Sequence, residues 1–203
     1  CLEDAVAETD VQQALNNLKH LLLAIDARGG RSFGGPTLFV RPRDSAMAAR
    51  LNEWSLMRYV DGFVVPKLSL CNIREWQQAV TRSDLMLMPT LETLEVFDPG
   101  AMIELRSALL EQLPGRIIAL RIGGNDLMSC LGLRRTPTMT LYNTPMNYVI
   151  SMLCAIMGSA GFALTAPVFE QLNAPQLLAE IADKAAQWFR LFSLIAAVAI
   201  GLV

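Results

Sequence analysis

Short apolar runs alternate with segments of helical periodicity along most of this chain, and this alternation constrains the fold more than any other feature. The runs are "TLFVRPR", "DGFVVPKL", "LMLMPTLET", "IIALRIGG" and "GFALTAPVF". Consecutive positions within them are apolar, which is typical of strands buried on both faces. Helices are predicted over approximately residues 10–25, 45–59, 71–81, 99–113 and 145–158. Strands that alternate with helices predict a parallel sheet covered by helices.

The number and spacing of these units favour a closed barrel. With a further strand predicted at "CLEDAV", they provide six of the eight units of a (β/α)8 barrel. We therefore predict an α/β protein with a TIM-barrel fold that is incomplete at both ends. Residues 1–203 would form a single domain that lacks its first unit and has an atypical C-terminal end. A doubly wound open sheet is the alternative, but it normally has a glycine-rich phosphate-binding turn after its first strand, and the sequence has none there.

Composition excludes several classes of function. With 203 residues, 53% of them hydrophobic, the chain can fill one large core, and 17 basic against 19 acidic residues provide no field to hold a nucleic acid. The cysteines Cys1, Cys71, Cys130 and Cys154 form no CxxC pair, and the single histidine, His20, lies in a leucine-rich helical segment. We therefore expect reduced thiols rather than a zinc site. No signal peptide is visible, which favours a cytoplasmic protein.

The segment from Trp188 to Val203, "WFRLFSLIAAVAIGLV", is apolar almost throughout. Its stretch after Arg190 is shorter than the ~20 residues that a membrane helix needs. We therefore expect a buried helix that leads into a last strand, and a membrane anchor is the less favoured alternative.

Charged and polar side chains follow almost every predicted strand. They are Glu3 and Asp4, Arg41 and Arg43, Lys67, Glu92, and Asn125 and Asp126. The functional groups of a barrel collect at the C-terminal ends of its strands. Asp126 alone could serve only to cap the next helix, but charge at five successive strand ends indicates a carboxylate cluster flanked by cations. Carboxylate ligands without Cys or His favour Mg²⁺, and Glu92 and Asp126 would stand on adjacent strands where they could chelate one ion.

Five segments carry a resemblance to a known family. "LEDAV", "VRPRD", "GFVVPKL", "PTLET" and "RIGGNDL", in this order, resemble the citrate lyase beta-subunit-like family of TIM-barrel C–C bond lyases and aldolases. The resemblance extends from Leu2 to about Leu133, and "RIGGNDL" is especially similar to a branch found beside tellurium-resistance genes.

The resemblance implies a Mg²⁺-dependent lyase or aldolase. Its substrate would be a small 2-oxo or hydroxy carboxylate, or a CoA thioester of one, and the reaction would pass through an enolate. It also implies a homo-oligomer, a trimer or a hexamer. The alternative is a catalytically silent binding or biosynthetic accessory protein that keeps the metal pocket.

Roles for individual residues follow from the same resemblance. Glu92 and Asp126 would hold Mg²⁺, and Arg41 would bind the substrate carboxylate and the developing enolate oxygen. Gly124 and Asn125 would also contact the substrate.

Three further residues complete the expected catalytic set with Arg41. Glu3 and Asp4 would orient metal-bound waters or handle a proton, and Lys67 would line the site. The chain departs from the family pattern in the helix after "LEDAV", which lacks the expected lysine and Ala-Arg pair and with them contacts to phosphate or CoA. Met157 also replaces an arginine that is usual in relatives.

Overall fold

Five parallel strands form the sheet of the computed structural model, which describes residues 1–32, 34–134 and 140–165. Each strand pairs with the next one along the chain. They are β1 (Phe39–Val40), β2 (Gly62–Val65), β3 (Met86–Leu91), β4 (Leu120–Ile122) and β5 (Leu164–Thr165). A doubly wound sheet reverses its strand order at a switch point. The order from β1 to β5 has no such reversal and is that of a barrel.

Helices connect every pair of successive strands. They are α1 (Val11–Ala27), α2 (Ser45–Asn52), α3 (Ile73–Ala79), α4 (Pro99–Gln112), α5 (Gly124–Cys130) and α6 (Met146–Gly158), with short 3-10 segments at Glu8–Asp10, Ser55–Tyr59, Leu94–Phe97 and Leu141–Asn143. The Asp98 side chain accepts a hydrogen bond from the Gly100 backbone and Pro99 opens α4, as expected of a first-turn proline. The predicted parallel sheet with intervening helices is confirmed.

The core lies between the sheet and the helices. Its largest buried side chains include Phe63, Leu87 and Leu105. Gly62 has a specific steric role, because a Cβ there would lie 2.0 Å from the Met86 carbonyl oxygen. Only glycine therefore permits this close approach of β2 to β3, which occurs at the first residue of each strand.

The predicted strand at "CLEDAV" is wrong. The Leu2 N–H donates to the Arg41 carbonyl oxygen (2.8 Å), but the chain then turns, with the Val6 N–H bonded to the Glu3 carbonyl oxygen (2.9 Å). This segment therefore follows β1 for one hydrogen bond without forming a strand.

The helix predicted over residues 45–59 is interrupted. α2 ends at Asn52, Trp54 has extended backbone angles, and a 3-10 segment follows. Asp10 precedes α1, but its side chain makes no capping hydrogen bond. α5 was not predicted, because its seven residues are too few to show a helical period.

Two predictions extend past the described residues. The apolar segment from Trp188 to Val203 lies outside them, as does the rest of the single domain predicted for residues 1–203 beyond Thr165. Within the described ranges, none of the helices combines the length and apolarity needed to cross a membrane.

Candidate functional site

The carboxylate of Glu92 lies at the centre of a charged cluster at the C-terminal ends of the strands. Glu92 directly follows β3, and only 3% of its side chain is exposed. Its Oε1 accepts hydrogen bonds from the Lys67 backbone N–H (2.9 Å) and from Arg41 Nη2 (3.0 Å). One charged and one neutral donor thus hold a buried carboxylate that would otherwise be costly to desolvate.

Gly123 makes room for this carboxylate. The register pairs Leu91 with Ile122, so the residues that follow them, Glu92 and Gly123, lie side by side. A Cβ on Gly123 would lie 2.4 Å from the Glu92 Cβ and 2.5 Å from its Oε2. Gly123, the first glycine of "RIGGNDL", is therefore at a position with no space for a side chain. Sequence reasoning did not assign this role, although the glycine at a strand end was its signal.

Arg41 joins Glu92 to the N-terminal segment. Its Nη2 lies 2.7 Å from Oε2 of Glu3 and 3.9 Å from Oδ2 of Asp4. Glu3 is 4% exposed, and its Oε2 has no hydrogen-bond donor of suitable geometry among the described residues, so the short contact is an ion pair. Arg41 thus balances two buried carboxylates at once.

Lys67 approaches the same carboxylates from β2. Its Nζ lies 3.3 Å from Oε1 of Glu3 and 3.7 Å from Oδ1 of Asp4. Burial lowers the pKa of Lys67, but the hydrogen bond to Glu3 and the charges of Asp4, Glu3 and Asp126 raise it more, so the pKa lies above its usual value. Lys67 therefore stays protonated at neutral pH and acts as a cation, not as a base.

The backbone of Lys67 is in the left-handed region, with φ of 49°. This conformation is unfavourable for a residue with a Cβ, and such strain is found most often at functional sites. The Asn72 side-chain amide donates to the Lys67 carbonyl oxygen (2.9 Å) and Lys67 N–H donates to Glu92. Nothing in the sequence indicated the contribution of Asn72.

Asp126 affects the ionisation of Glu92. The pKa of Glu92 is raised to about 7, mainly by burial. The hydrogen bond from the Lys67 N–H and the charge of Arg41 oppose this rise, whereas a hydrogen bond with Asp126 and the charge of Asp126 add to it. Two carboxyl groups that share a site are expected to behave in this way. The predicted ligand pair is therefore adjacent in space.

The alternative reading of Asp126 as a helix cap is not supported. α5 begins at Gly124, its cap position is Gly123, and no side-chain capping bond is formed. Asp126 lies in the first turn of this helix. Gly124 is buried and Asn125 is exposed, and their predicted contact with substrate stays a prediction.

Arg43 makes its hydrogen bonds outside the cluster. It donates to Glu8 Oε2 (2.8 Å) and to the Val6 carbonyl oxygen (2.6 Å), and so holds the N-terminal segment against β1. The structure thus brings together Glu3, Asp4, Arg41, Lys67, Glu92 and Asp126.

The donor set fits one kind of metal site. Among the described residues, no group of three or more His, Cys, Asp or Glu side chains is arranged to hold a metal ion. Zinc is normally held by three or four protein ligands, whereas Mg²⁺ keeps several waters and needs only one or two carboxylates. The four cysteines are free and exposed. The pair Glu92 and Asp126 fits Mg²⁺ bound largely through water.

A cavity of about 300 Å³ opens beside the cluster. Glu3, Asp4 and Lys67 of the cluster line it, and so do Arg43 and Trp76. This volume is at the small end of the range for ligand sites, about 300–1,000 Å³. The site therefore suits a small polar ligand.

Comparison with known proteins identifies the family. The sequence model of the C–C bond lyases of the TIM-barrel fold matches residues 1–197. The chain belongs to this family. Its membership confirms the predicted α/β TIM barrel, incomplete in the part of the chain that is described, and the broad family assignment made from the five segments. No curated protein matches the sequence.

One solved structure supports the fold of this C–C bond lyase family member. Malate synthase of Haloferax volcanii, in a lead(II) complex, matches with a TM-score of 0.59 and 18% identity over 81% of this chain and 51% of that one. The chain thus spans about half the length of that enzyme. The citrate synthase SbnG and one of its variants match with TM-scores of 0.39 and 0.42 and identities of 11% and 10%, over 82% of this chain and 84% of theirs. Both of these scores are too low to establish a shared fold.

Proposed function

We propose that this chain is a Mg²⁺-dependent C–C bond lyase or aldolase that acts on a small 2-oxo or hydroxy carboxylate through an enolate. The observation that carries the proposal is the buried carboxylate of Glu92, adjacent to Asp126 and contacted by Arg41 and the Lys67 N–H. Membership of a C–C bond lyase family supports the same reaction class.

Each charged residue has a role in this proposal. Glu92 and Asp126 would hold Mg²⁺, which when bound supplies positive charge that stabilises a developing enolate oxygen. Arg41 would orient the substrate carboxylate, since a guanidinium can form two parallel hydrogen bonds with it. Its Nε is buried without a partner among the described residues and is a donor that a substrate could use.

Proton transfer would fall to the N-terminal acids. In cleavage of an acid or thioester with a hydroxyl group β to its carbonyl, the hydroxyl proton passes to a base, the hydroxyl carbon becomes a new carbonyl group, and the C–C bond breaks. Its electron pair enters the enolate, which then takes up a proton at carbon. Glu3 and Asp4 are the candidate bases because Lys67 is protonated and both acids lie beside it.

Calorimetric titration with Mg²⁺ tests the metal site. Glu92→Gln and Asp126→Asn should each abolish binding while the circular dichroism spectrum stays that of the wild type. The control is Glu95→Gln, an exposed acid in the same loop region, which should bind Mg²⁺ normally. Unchanged affinity in both site variants would refute the proposal.

Turnover distinguishes the enzyme from an accessory protein. A panel of hydroxy acids and their CoA thioesters, assayed with Mg²⁺ for release of pyruvate, glyoxylate or acetyl-CoA, should give a product that Arg41→Gln does not give. Mg²⁺ binding without any product would favour the catalytically silent accessory protein. A product from thioesters alone would show that CoA is part of the substrate.

The proposal also includes three finer expectations from the sequence. These are assembly as a trimer or hexamer, a cytoplasmic location, and kinship with the branch associated with tellurium resistance. Light scattering on the purified chain tests the first, and fractionation of the source cells tests the second. The third predicts tellurium-resistance genes beside its own.

A further inference from the structure

Arg121, in the middle of β4, is a cation that the proposed reaction does not use. The residues on either side of it, Leu120 and Ile122, are 0% and 2% exposed, whereas Arg121 is half-buried. Side chains of a strand alternate between its two faces. Arg121 therefore points to the opposite face of the sheet from Leu120 and Ile122.

Gly123 identifies this opposite face as the one that carries the site. Arg121 and Gly123 are two residues apart and so share a face. A Cβ built on Gly123 would point at the Glu92 side chain. Arg121 thus lies on the barrel-interior side of β4, one layer below Glu92. Two residues of a strand span about 7 Å, which is comparable to the length of a diacid of four or five carbons.

Within the described part of the chain, the immediate surroundings of Arg121 are polar but contain no acidic group that neutralises it. Its register partners are Thr90 on β3 and Thr165 on β5, which share its face. The Oγ1 of Thr90 is buried, in a residue that is 1% exposed, and has no hydrogen-bond partner in the described ranges. No acidic side chain among residues 1–32, 34–134 and 140–165 forms an ion pair with Arg121.

The charges in the upper layer are already balanced within the proposed function. Four acids, Glu3, Asp4, Glu92 and Asp126, face two cations, Arg41 and Lys67, and a divalent ion would supply the remaining positive charge. Arg121 adds a positive charge below them that a second anionic group could neutralise. A single carboxylate held at Arg41 would leave this charge and the Thr90 hydroxyl without a ligand.

We propose that Arg121, with Thr90, binds the distal carboxylate of the substrate and makes the enzyme selective for 2-oxo or hydroxy diacids over monoacids. This inference rests on the proposed function, since it places the reacting end of the same molecule at Glu92 and Arg41. A guanidinium is suited to this role because its planar fork matches a carboxylate in geometry and carries a fixed charge.

Binding of two ligands that differ only at the distal end tests the selectivity. The ligands are 2-oxoglutarate and 2-oxopentanoate, which have five carbons each and end in a carboxylate and a methyl group. Calorimetry on the full chain should show that the wild type binds the diacid at least about tenfold more tightly. In Arg121→Gln the affinity for the diacid should fall about tenfold to a hundredfold, as expected for a lost charged hydrogen bond, and that for the monoacid should not change.

Two further variants keep the test decisive if Arg121→Gln fails to fold. Arg121→Lys retains the charge without the fork and should lose part of the preference for the diacid, and Thr90→Val should weaken only diacid binding. Equal loss of both ligands in these variants, or a wild type that binds both acids equally or neither, would overturn the assignment.

Metal titration separates this inference from the proposed function. Arg121→Gln should bind Mg²⁺ as the wild type does, because Arg121 is not a ligand. A wild type that binds no Mg²⁺ but prefers the diacid would contradict the proposed reaction and leave the role of Arg121 supported. Mg²⁺ binding without a preference for the diacid would support the metal site of the proposed function and contradict the role of Arg121.

Discussion

Gly123 and Glu92 stand so close at the ends of β4 and β3 that a Cβ on the glycine would overlap the Cβ of the glutamate, at 2.4 Å. Backbone cannot move easily here, because the Gly123 N–H is bonded to the Leu91 carbonyl oxygen (3.0 Å). The Glu92 side chain must therefore be displaced by any other residue at position 123. The glycine determines the position of the central carboxylate.

The first prediction follows from this contact. Gly123→Ala should destabilise the chain by about 1–3 kcal/mol through overpacking and should weaken Mg²⁺ binding, because Glu92 can no longer occupy its position. Thermal unfolding and calorimetry measure the two effects. Gly158→Ala is the control, since its Cβ would meet only Leu164 Cδ1 at 4.0 Å and should be tolerated. A fully stable Gly123→Ala with normal metal affinity would contradict this reading.

A second prediction concerns the ion pair of Arg41 with Glu3. Arg41→Met removes the cation between two buried carboxylates and should lower the free energy of unfolding by about 3–5 kcal/mol. A double-mutant cycle with Glu3→Gln should give a coupling energy of about 0.5–3 kcal/mol in urea denaturation. For comparison, Glu8→Gln breaks the exposed pair with Arg43 and should cost less than about 1 kcal/mol. Additive effects of the Arg41 and Glu3 substitutions would show that the contact contributes nothing.

Lys67 provides a test of backbone strain. Lys67→Gly relieves the left-handed conformation, whereas Lys67→Ala keeps it, and both remove the ammonium group. The glycine variant should therefore be more stable than the alanine variant by about 1 kcal/mol. At Lys19, exposed in the middle of α1, the order should be reversed by a similar amount, because alanine is the better helix former. The same order at both positions would remove the evidence for strain.

The pH dependence of stability should reveal Asp61. Burial raises the pKa of Asp61, but hydrogen bonds from the Leu38 N–H and from Arg31 lower it more, so the pKa lies below its ordinary value of 3.8. A carboxyl group with a lowered pKa stabilises the fold above its unfolded-state pKa and loses this contribution as the pH falls through the folded-state value. Asp61→Asn should therefore be less stable than the wild type at neutral pH, and the difference should shrink below about pH 4.

Urea denaturation at several pH values measures this difference. Glu111→Gln, an exposed substitution on α4, should change the free energy of unfolding by less than about 0.5 kcal/mol at neutral pH. A difference between wild type and Asp61→Asn that grows toward acidic pH would contradict the predicted sign.

The strands and the long helices could be predicted because their signals are local. Consecutive apolar residues in "GFVV" and "LMLM" mark strands buried on both faces, α1 shows a regular period over 17 residues, and Pro99 marks the start of α4. α5 has seven residues and no such period. "CLEDAV" has the composition of a strand, but its turn at Glu3 to Val6 depends on Arg43, which holds Val6 and Glu8 from a distant position in the sequence.

The candidate site also has a part that could be predicted from the sequence and a part that could not. Charges at strand ends could be found because the C-terminal ends of parallel strands converge, and the six charged residues do lie together. The direction of each contact could not be found in advance. Arg43 bonds to Val6 and Glu8, although it is only two residues from Arg41. The contributions of Asn72 and the Lys67 N–H depend on backbone geometry that a residue pattern does not record.

The contact of Arg41 with Glu3 and Glu92 has a consequence for how this protein would respond to its ligand. The three residues belong to separate stretches, so the pocket exists only when the N-terminal segment, β1 and β3 have come together. The unfolded chain has no such pocket, so a ligand would bind only the native state. Ligand binding would therefore shift the folding equilibrium toward the native state, and more so at higher ligand concentration. A cell with a high concentration of the carboxylate substrate would thus contain a larger folded fraction of this protein. In a cell lysate, the melting temperature of the protein would rise on addition of that carboxylate and not of others.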